Sequence, residues 1–354
     1  MSQWCKKRIT KIRKANSFIS WLGVFVLIVL GILETILGFP PFLKANVSLP
    51  DRPVLAFYYG WYDAHESWLN GREGTTSNAV SYVPSIGFYN SQNFSVIDYQ
   101  ITEAMSAGIN GFVSSWLGPG SYTDQSTKML MQEASSKFPN FAVTFFIESP
   151  SILAAFSEIA AKKEALVNDV SYIEQNYSSF SSFARLGGCQ VIFFYDTDVL
   201  PPSFWQNVTF SIHSMYPNLL LIGDSLNSSY IGSFDGEAPY VNLNFMKMSI
   251  NLENDTYPFY LSESQLLNAA HKIWFSVASP GFNNTNDPSE NYSVVPRNNG
   301  STYTQSWSIA AHSDPQGIII GTWNEYFEGT SIEPTTAYSS AYLSLTRQLI
   351  SAWR

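Results

Sequence analysis

From Pro53 to the C-terminus, eight short apolar runs alternate with helix-like or polar stretches, and this alternation most limits the fold. The runs are VLAFYY (54–59), NGFVSSW (110–116), FAVTFFI (141–147), QVIFFY (190–195), NLLLIG (218–223), VNLNFM (241–246), KIWFSVA (272–278) and GIIIGTW (317–323). Most are β-branched or aromatic at consecutive positions, the pattern of parallel strands covered on both faces. Helix-like stretches fall at 95–108, 126–138, 152–186, 203–216, 262–271 and 303–313, with a closing one at 337–353. The first carries Ile97, Ile101, Ala104 and Met105 on one face and ends at Gly108, as an amphipathic helix with a glycine cap does. Only 224–240 lacks a helical pattern. Eight such alternations without hairpin signals predict an α/β fold, a (β/α)8 TIM-type barrel over 53–354. An open doubly wound sheet is the alternative, but no G-x-G-x-x-G follows the first run.

The N-terminal part reads differently. Residues 1–16 carry six Lys/Arg and no acid, and 17–39 are apolar apart from Glu34. A membrane-spanning helix needs about 20 apolar residues, and a basic flank stays on the cytoplasmic side. This predicts a cytoplasmic basic tail (1–16), a transmembrane signal anchor (17–39), a linker (40–52) and an extracytoplasmic catalytic domain (53–354), at the cell surface or, in a eukaryote, in the Golgi lumen. A cleaved signal peptide is the alternative, but its apolar core is shorter, about 7–15 residues. Nine N-x-S/T sequons all follow the anchor, which fits export of a glycoprotein. With six of the 19 Lys/Arg in the tail and one of the 28 acids at Glu34, the remainder holds 13 against 27, a net charge of −14. Such a domain is not expected to bind nucleic acid, and no obligate protein partner is evident.

A TIM-type barrel builds its active site at the C-terminal ends of its strands. Those ends supply Tyr58, Tyr59 and Trp61, then Trp116, Glu148, Asp196, Asp198, Asp224 and Asp235, and finally Trp323, Asn324, Glu325, Tyr326 and Glu328. Paired carboxyl groups break glycosidic bonds, and aromatic rings offer flat faces to sugars. Glu325 and Glu328 are three residues apart, which on a helical turn brings side chains to about 5–6 Å. Two carboxyl groups that close do not both ionise easily, which creates an acid beside a base. The same spacing also suits residues that cap a helix or bond main-chain N–H groups. Glu148, after seven mostly apolar residues, suits either the site or an ion pair. Four scattered histidines show no metal-ligand spacing, no G-x-S-x-G elbow is present, and no cofactor is expected.

Several segments together resemble glycoside hydrolase family 99, the endo-α-mannosidases and endo-α-mannanases. They are VLAFYYGWY, GINGFVSSWLGPG, VTFFIESP, IFFYDTD, SFDG, SVASPGFNNT and above all TWNEYFEGTSIEP (322–334), which is similar to W-N-E-W-x-E-G-T-x-I-E-P. Tyr326 stands where the pattern has its second Trp, and Phe327 fills a position often polar. The resemblance implies retaining, endo-acting cleavage of α-mannosidic (α-1,2-type) linkages in glycans or mannan. It makes Glu325 the base that assists the sugar 2-hydroxyl and Glu328 the general acid/base. Tyr58, Tyr59, Trp61, Trp116, Glu148, Asp196, Asp235, Trp323, Asn324 and Tyr326 are then expected to contact the sugar. A related glycosyltransferase or transglycosylase, or a non-catalytic carbohydrate-binding barrel, are the competing expectations.

Overall fold

The computed structural model describes residues 46–63, 68, 80–240, 252–286 and 293–354. Eight parallel strands form a closed barrel: β1 (Val54–Tyr58), β2 (Gly111–Trp116), β3 (Ala142–Ile147), β4 (Cys189–Phe194), β5 (Leu219–Gly223), β6 (Gly236–Glu237), β7 (Ile273–Ala278) and β8 (Gly317–Ile320). Neighbours run β3-β2-β1-β8-β7-β6-β5-β4, and β4 returns to β3 through Phe146↔Phe193 and Ile147↔Phe194. Helices α1 (Phe94–Ser106), α2 (Tyr122–Lys137), α3 (Ile159–Tyr177), α4 (Pro202–Met215), α5 (Leu252–Ala269), α6 (Ser301–His312) and α7 (Ala341–Trp353) accompany the strands.

Strand residues alternate between two cores, because successive side chains point to opposite faces. Leu55, Phe57, Tyr59, Val113, Phe146, Phe193, Phe275 and Ile319 fill the interior. Their rings pack closely, with Phe57 and Phe146 centred 4.6 Å apart and Phe193 and Phe275 5.5 Å apart. Val54, Ala56, Tyr58, Phe112, Trp116, Phe145, Ile318 and Ile320 belong to the outer core beneath the helices. Val47 and Leu49 join the interior cluster. Their amides bond Ser181 O and Arg185 O, beside the starts of β3 and β4. The described part of 40–52 therefore packs as a floor at the end opposite the strand C-termini.

Three expectations shift. The run 241–246 lies outside the described residues, and Gly236–Glu237 fills the sixth barrel position, pairing Ile222↔Gly236 and Gly236↔Ile273. A side chain at Gly236 would strike the Ile273 carbonyl, so glycine permits this approach. Two residues within SFDGEAP leave no apolar run to recognise. The expected long helix 152–186 divides into Ser149–Leu153, α3 and a hairpin pairing Arg185–Leu186 with Cys189–Gln190. On α1, Gln100 is buried while Met105 is exposed. The β5–β6 connection carries only a short turn, Ser228–Tyr230, in keeping with the missing helical pattern. Among the described residues no helix is long and apolar enough to cross a membrane, and 17–39 lies outside them.

The NGF segment shows how sequence sets strand spacing. Asn110 Oδ1 accepts from Val54 N at 3.0 Å, and Asn110 N donates to Val54 O at 2.7 Å, which aligns β2 with β1. A methyl group at Gly111 would collide with the Ala142 carbonyl of β3. Gly111→Ala is expected to cost at least about 2 kcal/mol through this overpacking. A lowered urea midpoint at unchanged slope would register it, and a shift below about 0.5 kcal/mol would contradict the tight β2–β3 approach.

Candidate active site

After β8 the chain makes a self-closed loop. Thr322 N donates to Thr330 O (3.1 Å), Thr330 N to Glu325 O (3.2 Å), and Ile332 N to Thr322 O (3.0 Å). Thr322 Oγ1 accepts from Glu325 N at 2.8 Å and lies 3.0 Å from Thr330 Oγ1. Asn324 ties this loop to the end of β1. Its Oδ1 accepts from Tyr59 N (2.7 Å), and its Nδ2 donates to Tyr59 O (2.8 Å) and to the Tyr89 hydroxyl (3.1 Å).

The loop presents two carboxyl groups with different surroundings. Glu325 is buried, and its Oε1 accepts from Phe327 N at 2.9 Å and Glu328 N at 3.4 Å. Burial, then the neighbouring Glu328 charge, pushes its pKa well above the usual carboxylate range. Glu328 is half-buried, and its Oε2 accepts from the Tyr240 hydroxyl at 2.9 Å. Tyr240 in turn accepts from the Tyr59 hydroxyl at 2.7 Å, so two phenols form a chain that ends on Glu328. Both phenols are raised well above their ordinary pKa by burial and the nearby carboxylates, so they remain donors.

Further acids face the same well. Glu148 follows β3 and accepts from Ser115 Oγ at 2.6 Å; burial raises it to about 7. The Ser115 bond acts against that rise, while the Glu328 and Asp224 charges add to it. Asp224 accepts from Tyr240 N (2.6 Å) and Asp196 N (2.9 Å), and burial raises it to about 7 as well. Trp61 lies against Tyr59 with ring centres 4.5 Å apart, and 6.4 Å from Phe327. The long connections after β1 and β7 meet above, where Ser81 Oγ donates to Asn283 O and Asn286 Nδ2 to Val80 O. Among the described residues no group of three or more His, Cys, Asp or Glu could hold a metal ion.

The structure thus brings Glu325, Glu328, Glu148, Tyr59 and Trp61 together, leaves Asp196 joined to Asp224 through its main-chain N–H, and places the other expected residues elsewhere. Tyr58 and Trp116 project into the outer core, where Tyr58 donates to Gln100 (2.9 Å) and Trp116 Nε1 to Asp124 (2.9 Å). Trp323 packs on Phe112 in that same layer. Asp235 pairs with His213 in the last turn of α4, at 2.9 Å, on the outer side of the barrel. Asn324 spends its amide on the Tyr59 main chain. Tyr326 is fully buried and donates to Glu333, which also accepts from Tyr89 and Gln100. Strand alternation explains Tyr58 and Trp116: of two neighbours at a strand end, only one faces the well. Tyr240 and Ser115 are site residues missed in the sequence. Ser115 was legible as the inward residue beside Trp116, whereas Tyr240 follows a strand too short to recognise.

A sequence profile for Glycosyl hydrolase family 99 matches residues 51–346. The mouse protein described as glycoprotein endo-alpha-1,2-mannosidase is 25% identical over 373 residues, covering 87% of this chain and 77% of its own length. A human glycoprotein endo-alpha-1,2-mannosidase-like protein is 23% identical, covering 83% and 74%. The GH99 endo-alpha-mannosidase structure from Bacteroides thetaiotaomicron shares the fold at a TM-score of 0.70 and 23% identity, covering 86% of this chain and 98% of that one. The chain is a glycoside hydrolase and belongs to glycosyl hydrolase family 99.

Proposed function

We propose that this chain cleaves internal α-mannosidic linkages of α-1,2 type with retention, using Glu325 and Glu328. The observation that carries the reading is their placement. One loop holds both carboxyl groups in the acid-lined well, one against main-chain N–H groups and the other at the end of a phenol chain. Glu325 would take the proton of the sugar 2-hydroxyl as O2 attacks C1. Glu328 would protonate the departing glycosidic oxygen as the C1–O bond breaks. In the second step Glu328 deprotonates water, which attacks C1, and Glu325 returns the proton to O2 as the C1–O2 bond opens. Two inversions give net retention without a carboxylate nucleophile.

The electrostatics suit one shared proton. Burial favours that proton on Glu325 before the sugar arrives. A sugar hydroxyl donating to Glu325 stabilises its ionised form and leaves the proton for Glu328. In this reading Glu148 and Asp196 bond sugar hydroxyls and Trp61 offers a ring face.

The proposal also keeps 17–39 as a signal anchor, with the barrel outside the cytoplasm. Val47 and Leu49 seat at the barrel floor, so an anchor just before them would join the face opposite the active-site mouth. That arrangement turns the mouth toward glycans away from the bilayer.

Incubation of the full chain with α-mannan and α-linked manno-oligosaccharides is expected to release shorter oligosaccharides. Glu325→Gln and Glu328→Gln should each lower the rate about 10³-fold while remaining folded. Retention of activity by either variant, or products longer than the substrate, would count against the assignment. Tyr240→Phe removes the donor to Glu328 and should lower kcat about tenfold to a hundredfold, with KM little changed. A carboxyl raised by burial keeps its proton to higher pH, so the alkaline limb of kcat/KM should lie well above the ordinary range near pH 4.5. A limb centred at or below about 4.5 would show that no raised carboxyl supplies the catalytic proton.

A further inference from the structure

Arg297, in the connection after β7, is a buried cation, with only 6% of its surface exposed. Among the described residues no acid forms an ion pair with it. The guanidinium instead sits among three tyrosine rings, 5.0 Å from Tyr82, 5.1 Å from Tyr338 and 4.5 Å from Tyr342. These rings come from the β1–α1 connection, the segment after β8, and α7. Its Nη2 donates to Gly329 O at 2.8 Å and Ser331 O at 2.7 Å. Nε and Nη1 are buried without a hydrogen-bond partner among the described residues.

Burying a cation without an acid is costly, and ring faces offset only part of that cost. The charge is directed at two carbonyls of the catalytic loop, where charge-assisted bonds are short and strong. Those carbonyls lie one and three residues after Glu328. From the other side, Asn283 N donates to Glu328 O at 2.7 Å. Gly329 turns at φ 60°, so close to Asn283 that an added methyl would lie 2.7 Å from the Asn283 carbonyl oxygen. Thr330, between the two clasped carbonyls, also reaches Glu325 O, but Glu325 keeps a second hold on the β8 side through its N–H to Thr322 Oγ1 at 2.8 Å. Arg297 therefore bears on the Glu328 half of the pair.

We propose that Arg297 is a positioning residue for Glu328, fixing the loop so that Glu328 meets the leaving oxygen. This rests on the reading of Glu328 as the acid/base. The test compares the full-length wild type with Arg297→Met, Arg297→Lys and Tyr342→Leu on two substrates. One is an α-mannotetraose, whose leaving group needs a proton. The other is an α-mannobiosyl fluoride, whose fluoride departs without one. Arg297→Met should lower kcat on the oligosaccharide about 50-fold or more, as a misplaced catalytic group does. KM should stay within about threefold, and the first-turnover release of fluoride within about fivefold, because the loss falls on proton transfer to the leaving group. Arg297→Lys should recover part of the loss, and Tyr342→Leu should show the same selective defect more weakly.

Equal losses on both substrates, as a general loss of folded enzyme produces, would overturn the inference, and so would no loss on either. If Arg297→Met does not fold, Arg297→Lys and Tyr342→Leu decide by the same substrate contrast. Wild-type inactivity on both substrates sinks the hydrolase reading and this inference with it. An active wild type with unselective variants sinks this inference alone.

Discussion

The side chain of Asn324 makes two hydrogen bonds to the main chain of Tyr59, joining the loop after β8 to the end of β1 where the barrel opens. The exchange resembles one rung of a sheet ladder, built from an amide side chain instead of a second strand. It continues the β1–β8 pairing beyond Ile320 and sets the level from which the loop carrying Glu325 and Glu328 departs. Tyr62 repeats the tie, with its hydroxyl donating to Asn324 O and accepting from Tyr326 N. Once these contacts exist, Glu325 and Glu328 have little choice of position. The Thr322–Thr330 closure returns the chain so that Glu333 ends in its own pocket of donors.

Around this frame the protein divides its acids between two tasks. Glu333 is buried behind the loop, raised to about 7 by burial, and bonded by Gln100, Tyr89 and Tyr326. It joins α1, the β1 connection and the loop after β8, and its oxygens are occupied by protein donors. Glu148, Asp224, Glu325 and Glu328 face the well instead, and each raises the cost of ionising its neighbours. Such crowding destabilises a fold and suits a site that must move protons, so it is expected at a functional centre. Phenols bridge the two regions: Tyr59 contributes its main chain to the Asn324 clamp and its hydroxyl to the chain ending on Glu328.

Much of this was legible in the residues. The doubly apolar runs marked seven strands of the barrel, and TWNEYFEGTSIEP marked the loop. Strand-end reading, however, cannot by itself distinguish adjacent residues. Tyr58 and Tyr59 look alike in VLAFYYGW, yet one bonds Gln100 in the outer core and the other joins the Tyr240–Glu328 chain. Trp116 and Ser115 illustrate the same point with the less conspicuous residue facing the well. Asn324 looked like a sugar ligand because its role depends on Tyr59, 265 positions away in sequence. Gly236–Glu237 and Tyr240 escaped notice because a two-residue strand held by glycine packing has no periodicity. Asp235 looked like a rim acid for the same reason, until the strand's true position put it beside His213.

We propose that Glu325 and Glu328 break an α-mannosidic bond through the sugar's own 2-hydroxyl. The most direct measurement is proton NMR of the reducing end first formed from an α-1,2-linked manno-oligosaccharide, followed before mutarotation. The account predicts that the α anomer appears first and the β anomer only later. Initial release of the β anomer would contradict it, because a single displacement by water would then have replaced the two inversions.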